Sequence, residues 1–216
     1  MNLIIDVGNT LLKLAVFDNQ MLTDKRSCDK VDFISTLEAL FIIYPRITDV
    51  IISSVGDFSE KEILFIQKRY ETIILNHQTK VPFKNQYKTP ETLGADRIAI
   101  VSSAAIQYPK ENVLIIDVGS CITYDFVSHE GIYKGGAISP GVKMRYKSLH
   151  IFTKKLPLLS PQAFDSLIGN STETSIHAGI VNGVINEING TIEQYTQKNE
   201  DLTVVLTGGD VNFLAN

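Results

Sequence analysis

The sequence predicts an α/β protein built from one plan used twice, with helices packed on mixed sheets in two similar domains. Three observations predict it. The apolar run Leu3-Ile4-Ile5 leads into Asp6-Val7-Gly8-Asn9-Thr10, and a second apolar run, Leu11 to Phe17, follows at once. The pattern returns 111 positions later: Val113 to Ile116, then Asp117-Val118-Gly119-Ser120-Cys121, then the β-rich Ile122 to Phe126. Internal self-similarity of this kind governs the whole architecture. Between and after the two copies, apolar segments of helical spacing alternate with short β-branched runs, the signature of helices covering a sheet. A third strand-then-glycine turn, Thr207-Gly208-Gly209-Asp210, closes the chain's last apolar run.

In the first half, Leu11–Phe17 is expected to pair back on Leu3–Asp6, with a third strand near residues 23–27 after the turn at Asp18-Asn19-Gln20. A helix is predicted from Asp32, whose carboxylate can cap it. Asp49 to Ser54 reads as a buried strand. Ser59 caps a helix to about Arg69, and Thr72–Leu75 is a further strand. Residues 76–95 read as loop, ending at Leu93-Gly94-Ala95-Asp96-Arg97, which opens an apolar helix through about Gln107. As a local feature, Asp96 is an N-cap candidate. The domain boundary is placed at Tyr108–Asn112, giving domains 1–112 and 113–216.

The second half repeats the hairpin over 113–127, turning through Ser128-His129-Glu130-Gly131. Lys134-Gly135-Gly136-Ala137-Ile138-Ser139-Pro140-Gly141 is expected to be backbone-accessible loop rather than core strand, because of its glycine pair and Pro-Gly. A helix follows from Val142 to about Phe152, and a turn or short helix at residues 161–164. A long helix, from about Ser175 to Lys198, would span roughly 36 Å. Gly179 and Gly183 share one face of it. Each costs about 1 kcal/mol against alanine in a helix, so close approach of another helix, or of the ligand, is expected there.

The Asp-Val-Gly turns suggest chemistry. Gly8 lets backbone N–H groups approach an anion, Asn9 and Thr10 add donors, and Asp6 can hold a hydrated divalent cation that bridges to phosphate. A plain hairpin, in which Gly and Asn supply only positive φ, explains one such turn equally well. It explains three in one chain poorly. The rest of the composition excludes other classes. The 216 residues carry a net charge of −4, with no basic block longer than a pair, which argues against nucleic acid as a partner. No apolar run approaches a membrane span. Asp6 interrupts the first apolar run, so a signal peptide is not expected. Two separated cysteines and four scattered histidines indicate neither a disulfide framework nor a zinc site. A cytoplasmic protein is expected.

The ordered set DVGNT, LGADR, DVGSCITYD, GGAISPG, GNST before a long helix, and TGGD resembles type III pantothenate kinase over nearly the whole chain. The Asp-x-Gly turn alone is shared across actin-like kinases; GADR and GGxIxPG beside two such turns narrow the resemblance. It implies the duplicated actin-like (ribonuclease H-like) ATPase fold, two similar domains around a cleft. It implies transfer of the ATP γ-phosphoryl group to the terminal hydroxyl of pantothenate, the first step of coenzyme A biosynthesis. It also implies Mg²⁺, a monovalent cation (K⁺ or NH₄⁺) and a homodimer.

By the same resemblance, Asp6, Val7, Gly8, Asn9, Thr10, Leu11, Leu12 and Lys13 form the first ATP phosphate loop, with Asp6 near Mg²⁺ through water and Lys13 near phosphate. Asp96 is the general base. Arg97 grips the pantothenate carboxylate, Gly94 and Ala95 line the substrate pocket, and Tyr87 closes over it. Asp117 ligates the monovalent cation and Ser120 contacts ATP. Thr172 reaches the substrate, or alternatively caps the long helix. Gly208 and Gly209 approach the adenosine side. The second loop departs from the family's usual Gly-Thr-Ala by reading Gly119-Ser120-Cys121, which keeps a hydroxyl. The chain also ends six residues after Asp210, where relatives continue with a further helical segment. Two other readings stay open: an actin-like kinase of another small hydroxy substrate, and a nucleotide-binding accessory protein without turnover.

Overall fold

The structure is a computed structural model, and it describes residues 1–8, 11–56 and 58–214. Asn9 and Thr10 of the first loop lie outside the described residues. Contacts divide the chain into two units, residues 1–81 with 88–100, and residues 82–87 with 101–216. The second strand–turn–strand repeat begins at Asn112.

The first unit holds strands β1 (Asn2–Val7), β2 (Leu12–Asp18), β3 (Met21–Cys28), β4 (Asp49–Ser54) and β5 (Glu71–Ile74), in spatial order β3-β2-β1-β4-β5. The hairpin pairs β1 and β2 antiparallel, whereas β4 and β5 run parallel to β1. Alternation dictates the core. Leu3, Ile5 and Val7 share one face with Leu12, Leu14 and Val16, and with Val50 and Ile52. Onto it packs helix α1 (Phe33–Ile43), whose Phe33, Leu37 and Leu40 recur at helical spacing and are fully buried. Burying each such side chain stabilises by about 1.5–3 kcal/mol. Helix α2 (Glu60–Gln67) starts in a capping box: the Ser59 hydroxyl accepts from Glu62 N–H, and the Glu62 carboxylate accepts from Ser59 N–H. The expected cap at Asp32 makes no side-chain hydrogen bond. Helix α3 (Ala95–Gln107) runs across the division between the units.

The second unit repeats the scheme. Strand β6 is the two-residue Lys84–Asn85; β7 is Asn112–Val118, β8 Cys121–Val127, β9 Ile132–Pro140 and β10 Leu202–Thr207. Their order, β10-β7-β8-β9-β6, read from β9 to β10 matches β3-β2-β1-β4. Leu114, Ile116, Val118, Ile122 and Tyr124 form a core with helix α4 (Val142–Ile151) and helix α5 (Thr172–Thr196). Ile176, Ile180, Val184 and Ile188 of α5 are its buried stripe, four residues apart. Residues 83–87 join this unit through their rings: Phe83 and Tyr87 pack on Tyr133, which donates to the fully buried Asp125 carboxylate at 2.6 Å. A short final helix, α6, covers Val211–Leu214.

Three expectations need correction. The segment Lys134–Pro140 is strand, not loop, pairing with β8 from Cys121↔Pro140 to Phe126↔Gly135. Its glycines serve the strand: Gly135 takes φ +99 where the register shifts, and a Cβ on Gly136 would overlap the Tyr124 carbonyl. Residues 161–164 form no helix. No described residue approaches the Cβ positions of Gly179 or Gly183, so packing within the chain does not explain them.

Candidate phosphoryl-transfer site

Each unit brings two turns together at the ends of its parallel strands. In the first, Gly8 N–H bonds to Leu11 O at 3.2 Å, and the chain leaving β4 docks alongside, with Val55 N–H donating to Val7 O at 3.1 Å. Gly56 lies so near Gly8 that a Cβ would stand 3.0 Å from its carbonyl oxygen. The second unit repeats this: Gly119 N–H bonds to Cys121 O at 3.0 Å, and Asp210 N–H to Val118 O at 3.0 Å. Gly208, at φ +108, sits against the Val118 backbone where a Cβ would overlap. The Thr207-Gly208-Gly209-Asp210 turn is thus the partner of the second loop, as Ser54-Val55-Gly56 is of the first.

Register places the charged groups of the first unit. Asp6 stands directly across from Lys13 and beside Ser53 of β4. The Lys13 ammonium is 3.7 Å from the Asp6 carboxylate, both half exposed. Burial pushes the Asp6 carboxyl above its ordinary pKa; Lys13 opposes the rise and the charge of Asp96 adds to it. Asp96, 90 positions away in sequence, therefore lies near enough to Asp6 within the same unit for its charge to be felt there. Asp96 is the second residue of α3 and not its N-cap; its Oδ1 accepts from Arg97 N–H at 2.8 Å. Gly94 leaves room for that carboxylate, since a Cβ there would overlap Oδ1. Ala95 and Arg97 are buried, Leu12 is in the core, and Leu11 is 41% exposed at the loop's end.

The remaining candidates belong to the second unit. Asp117 pairs in register with Thr123 across the hairpin and Thr207 on the other side. Ser120 is exposed in the loop. Tyr87 N–H is held by the Asn85 side chain, and its ring lies over Gly135. Thr172 is the first residue of α5 and exposed; the cap is Ser171, whose hydroxyl accepts from Thr174 N–H in a capping box. Thr172 opens onto a groove of about 630 Å³ between α4 and α5 that Arg145, Leu149 and Gly179 also line.

Sequence reasoning did not single out Ser53 or Thr123. Both hydroxyl oxygens are buried without a hydrogen-bond partner among the described residues, beside Asp6 and across from Asp117 respectively. Strand register was the missing signal. Unsatisfied oxygens next to a carboxylate fit a cation at each place. Among the described residues no group of three or more His, Cys, Asp and Glu forms a metal cage. A divalent ion would therefore be held largely by water and phosphate, as Mg²⁺ commonly is.

The family model described as type III pantothenate kinase matches residues 2–194. A Christiangramia forsetii protein named type III pantothenate kinase is 49% identical over 215 residues, covering 100% of this chain and 88% of the relative. One from Porphyromonas gingivalis with the same name is 40% identical over 222 residues, covering 99% and 88%. Among solved structures, a Campylobacter jejuni protein assigned by its description to the Baf family of transcriptional activators superposes with a TM-score of 0.57 at 22% identity, covering 99% of this chain and 86% of that one. At that identity it speaks for the fold alone.

Proposed function

This chain belongs to the type III pantothenate kinase family, and on that premise we propose that Asp96 takes the proton of the attacking hydroxyl as pantothenate is phosphorylated. The enzyme is a kinase of coenzyme A biosynthesis, and its fold is the duplicated actin-like one. The observation that supports the residue assignment is that Asp6 stands in the field of Asp96 within one unit. An Asp6 carboxylate in that field is poorly placed for stability and well placed to share a cation and a reacting hydroxyl with Asp96.

The kinase uses ATP and a divalent metal; we take the metal to be Mg²⁺, beside Asp6 and Ser53. When bound, it would neutralise charge on the phosphates. The chain's own residues do the rest. Gly8 presents backbone where a side chain would obstruct, and the Lys13 ammonium, 3.7 Å from Asp6, would reach a phosphate oxygen. Asp96 accepts a hydrogen bond from the pantothenate hydroxyl and orients it. A carboxylate is a weak base for an alcohol, but the loose transition state asks mainly for position, with proton loss late. Arg97 offers the planar fork that matches a carboxylate, with Gly94 and Ala95 beside it in the first unit; in the second unit Tyr87 and Thr172 are the substrate candidates.

In the second unit, Asp117 with Thr123 would hold K⁺ or NH₄⁺, and Ser120 would contact ATP. The domains read from sequence, 1–112 and 113–216, remain our division of these roles. We further propose a homodimer, with the open Gly179/Gly183 face of α5 as its contact, and a cytoplasmic location. No helix among the described residues is long and apolar enough to cross a membrane. The test is ADP release with pantothenate, Mg²⁺ and K⁺. Turnover that depends on pantothenate and rises with K⁺ supports the assignment; turnover that ignores pantothenate overturns it.

A further inference from the structure

Behind the second loop lies a charged network that the transfer itself does not use. Arg145, in the first turn of α4, donates from Nε to Pro140 O at 2.8 Å. Its Nη2 reaches Ser139 Oγ at 3.0 Å and Glu187 Oε2 at 2.5 Å. The other Glu187 oxygen accepts from Tyr124 Oη at 2.9 Å. Four elements, β8, β9, α4 and α5, meet at one ion pair whose members are 21% and 30% exposed. For stability alone, apolar side chains of similar size serve as well as a pair drawn out of water. A guanidinium adds direction, because its rigid fork fixes several acceptors at once.

The acceptors lead to the loop. Pro140 pairs with Cys121 and Ser139 with Ile122, so both lie at the loop end of β9. The next residue, Gly141, lies so close to the loop that a Cβ would overlap the carbonyl oxygens of Gly119 and Ser120. The loop's peptide groups therefore rest on the turn that Arg145 pins.

We propose that Arg145, anchored by Glu187, is a positioning residue for nucleotide: it fixes the Ser139–Gly141 turn and thereby aims the Gly119–Ser120 backbone at the ATP phosphates. This rests on the reading that the second loop binds ATP. Arg145 acts through the loop and does not itself contact the nucleotide.

The test uses the full chain with Arg145→Lys and Ser139→Ala. Lysine keeps the charge facing Glu187 but is a single flexible point donor, unable to serve three acceptors in a fixed plane. Losing a hydrogen bond from a charged group corresponds to a change of about tenfold. Arg145→Lys should thus raise the ATP KM, and the calorimetric Kd for a non-hydrolysable Mg·ATP analogue, by about tenfold. The pantothenate KM should stay within about twofold of wild type, and Ser139→Ala should give a smaller change in the same direction. Unchanged analogue affinity with a lowered melting midpoint would reduce the network to a clamp between α4 and α5 and overturn the proposal. If Arg145→Lys does not fold, Ser139→Ala decides by the same readout. Wild-type protein that binds the analogue but makes no phosphopantothenate would sink the substrate assignment and leave the analogue affinities to judge the network. Wild type that binds no analogue overturns both.

Discussion

Asp6→Asn should leave the nucleotide-free protein about as stable as wild type while removing most of its turnover. Folding withdraws the Asp6 carboxylate partly from water and places it in the field of Asp96, and together these raise its pKa despite Lys13. A carboxyl whose folded pKa lies above its unfolded value is held charged at a cost. That cost appears as pH rises from the ordinary 3.8 through the folded value and persists at neutrality. Lys13 offsets part of it, but the pair is 3.7 Å apart with side chains 53% and 37% exposed, and such pairs contribute about 0–1 kcal/mol. Asparagine keeps the shape and removes the charge. The net change should lie within about 1 kcal/mol of zero, or about 2–4 °C in melting midpoint for a chain of this size. Wild type and variant should converge below about pH 4. Turnover should fall by about 10²-fold or more, since the carboxylate that would hold the hydrated Mg²⁺ against the phosphates is lost. Thermal melts without metal or nucleotide, paired with ADP release, measure both quantities. A loss of stability above about 2 kcal/mol at pH 7 would show that Asp6 anchors the hairpin, and would refute the argument that its charge is retained for binding.

Three further outcomes follow from single contacts. Glu187 titrates with the opposite sign: burial raises its pKa, but hydrogen bonds from Arg145, Ser139 and Tyr124 outweigh that and hold it below the ordinary 4.5. Its stabilisation is therefore present above pH 4.5 and lost as pH falls through the folded value, so the destabilisation caused by Glu187→Gln, read by urea titration, should be largest near neutrality and vanish in acid. Gly136→Ala forces a Cβ into the Tyr124 carbonyl, which is backbone and cannot step aside, and should destabilise by about 1–3 kcal/mol in a denaturant melt. Asp117→Asn should weaken K⁺ activation by about tenfold or more while leaving pantothenate KM nearly unchanged; equal K⁺ dependence in the variant would place the monovalent ion elsewhere.

Much of this was legible in the chain because the fold is local in its signals. Each β1-turn-β2 unit is continuous in sequence, so alternation and one glycine announced both hairpins, and the repeat announced that they were equivalent. Helices with apolar stripes, such as Phe33-Leu37-Leu40, were equally plain. Lys134–Pro140 was misread because glycine reads as loop when nothing reveals the partner strand; only the Tyr124 carbonyl explains Gly136. The nearness of Asp6 and Asp96 could not come from spacing, since 90 positions and five strands separate them. Their separate roles, at the metal and at the hydroxyl proton, entered through a family resemblance. Ser53 and Thr123 carried no local mark at all: a hydroxyl in a β-branched run is ordinary until register sets it beside a carboxylate. Gly179 and Gly183 were expected to meet another helix or the ligand, and among the described residues nothing packs on them.

Mass analysis of the product formed from ATP and pantothenate, with Mg²⁺ and K⁺, by wild type and by Asp96→Asn, tests the central assignment most directly. The account requires phosphopantothenate from wild type and a rate about 10²–10⁴-fold lower from the variant, with ATP-analogue affinity retained. Phosphopantothenate formed at an undiminished rate by Asp96→Asn, or none formed by wild type, would contradict it.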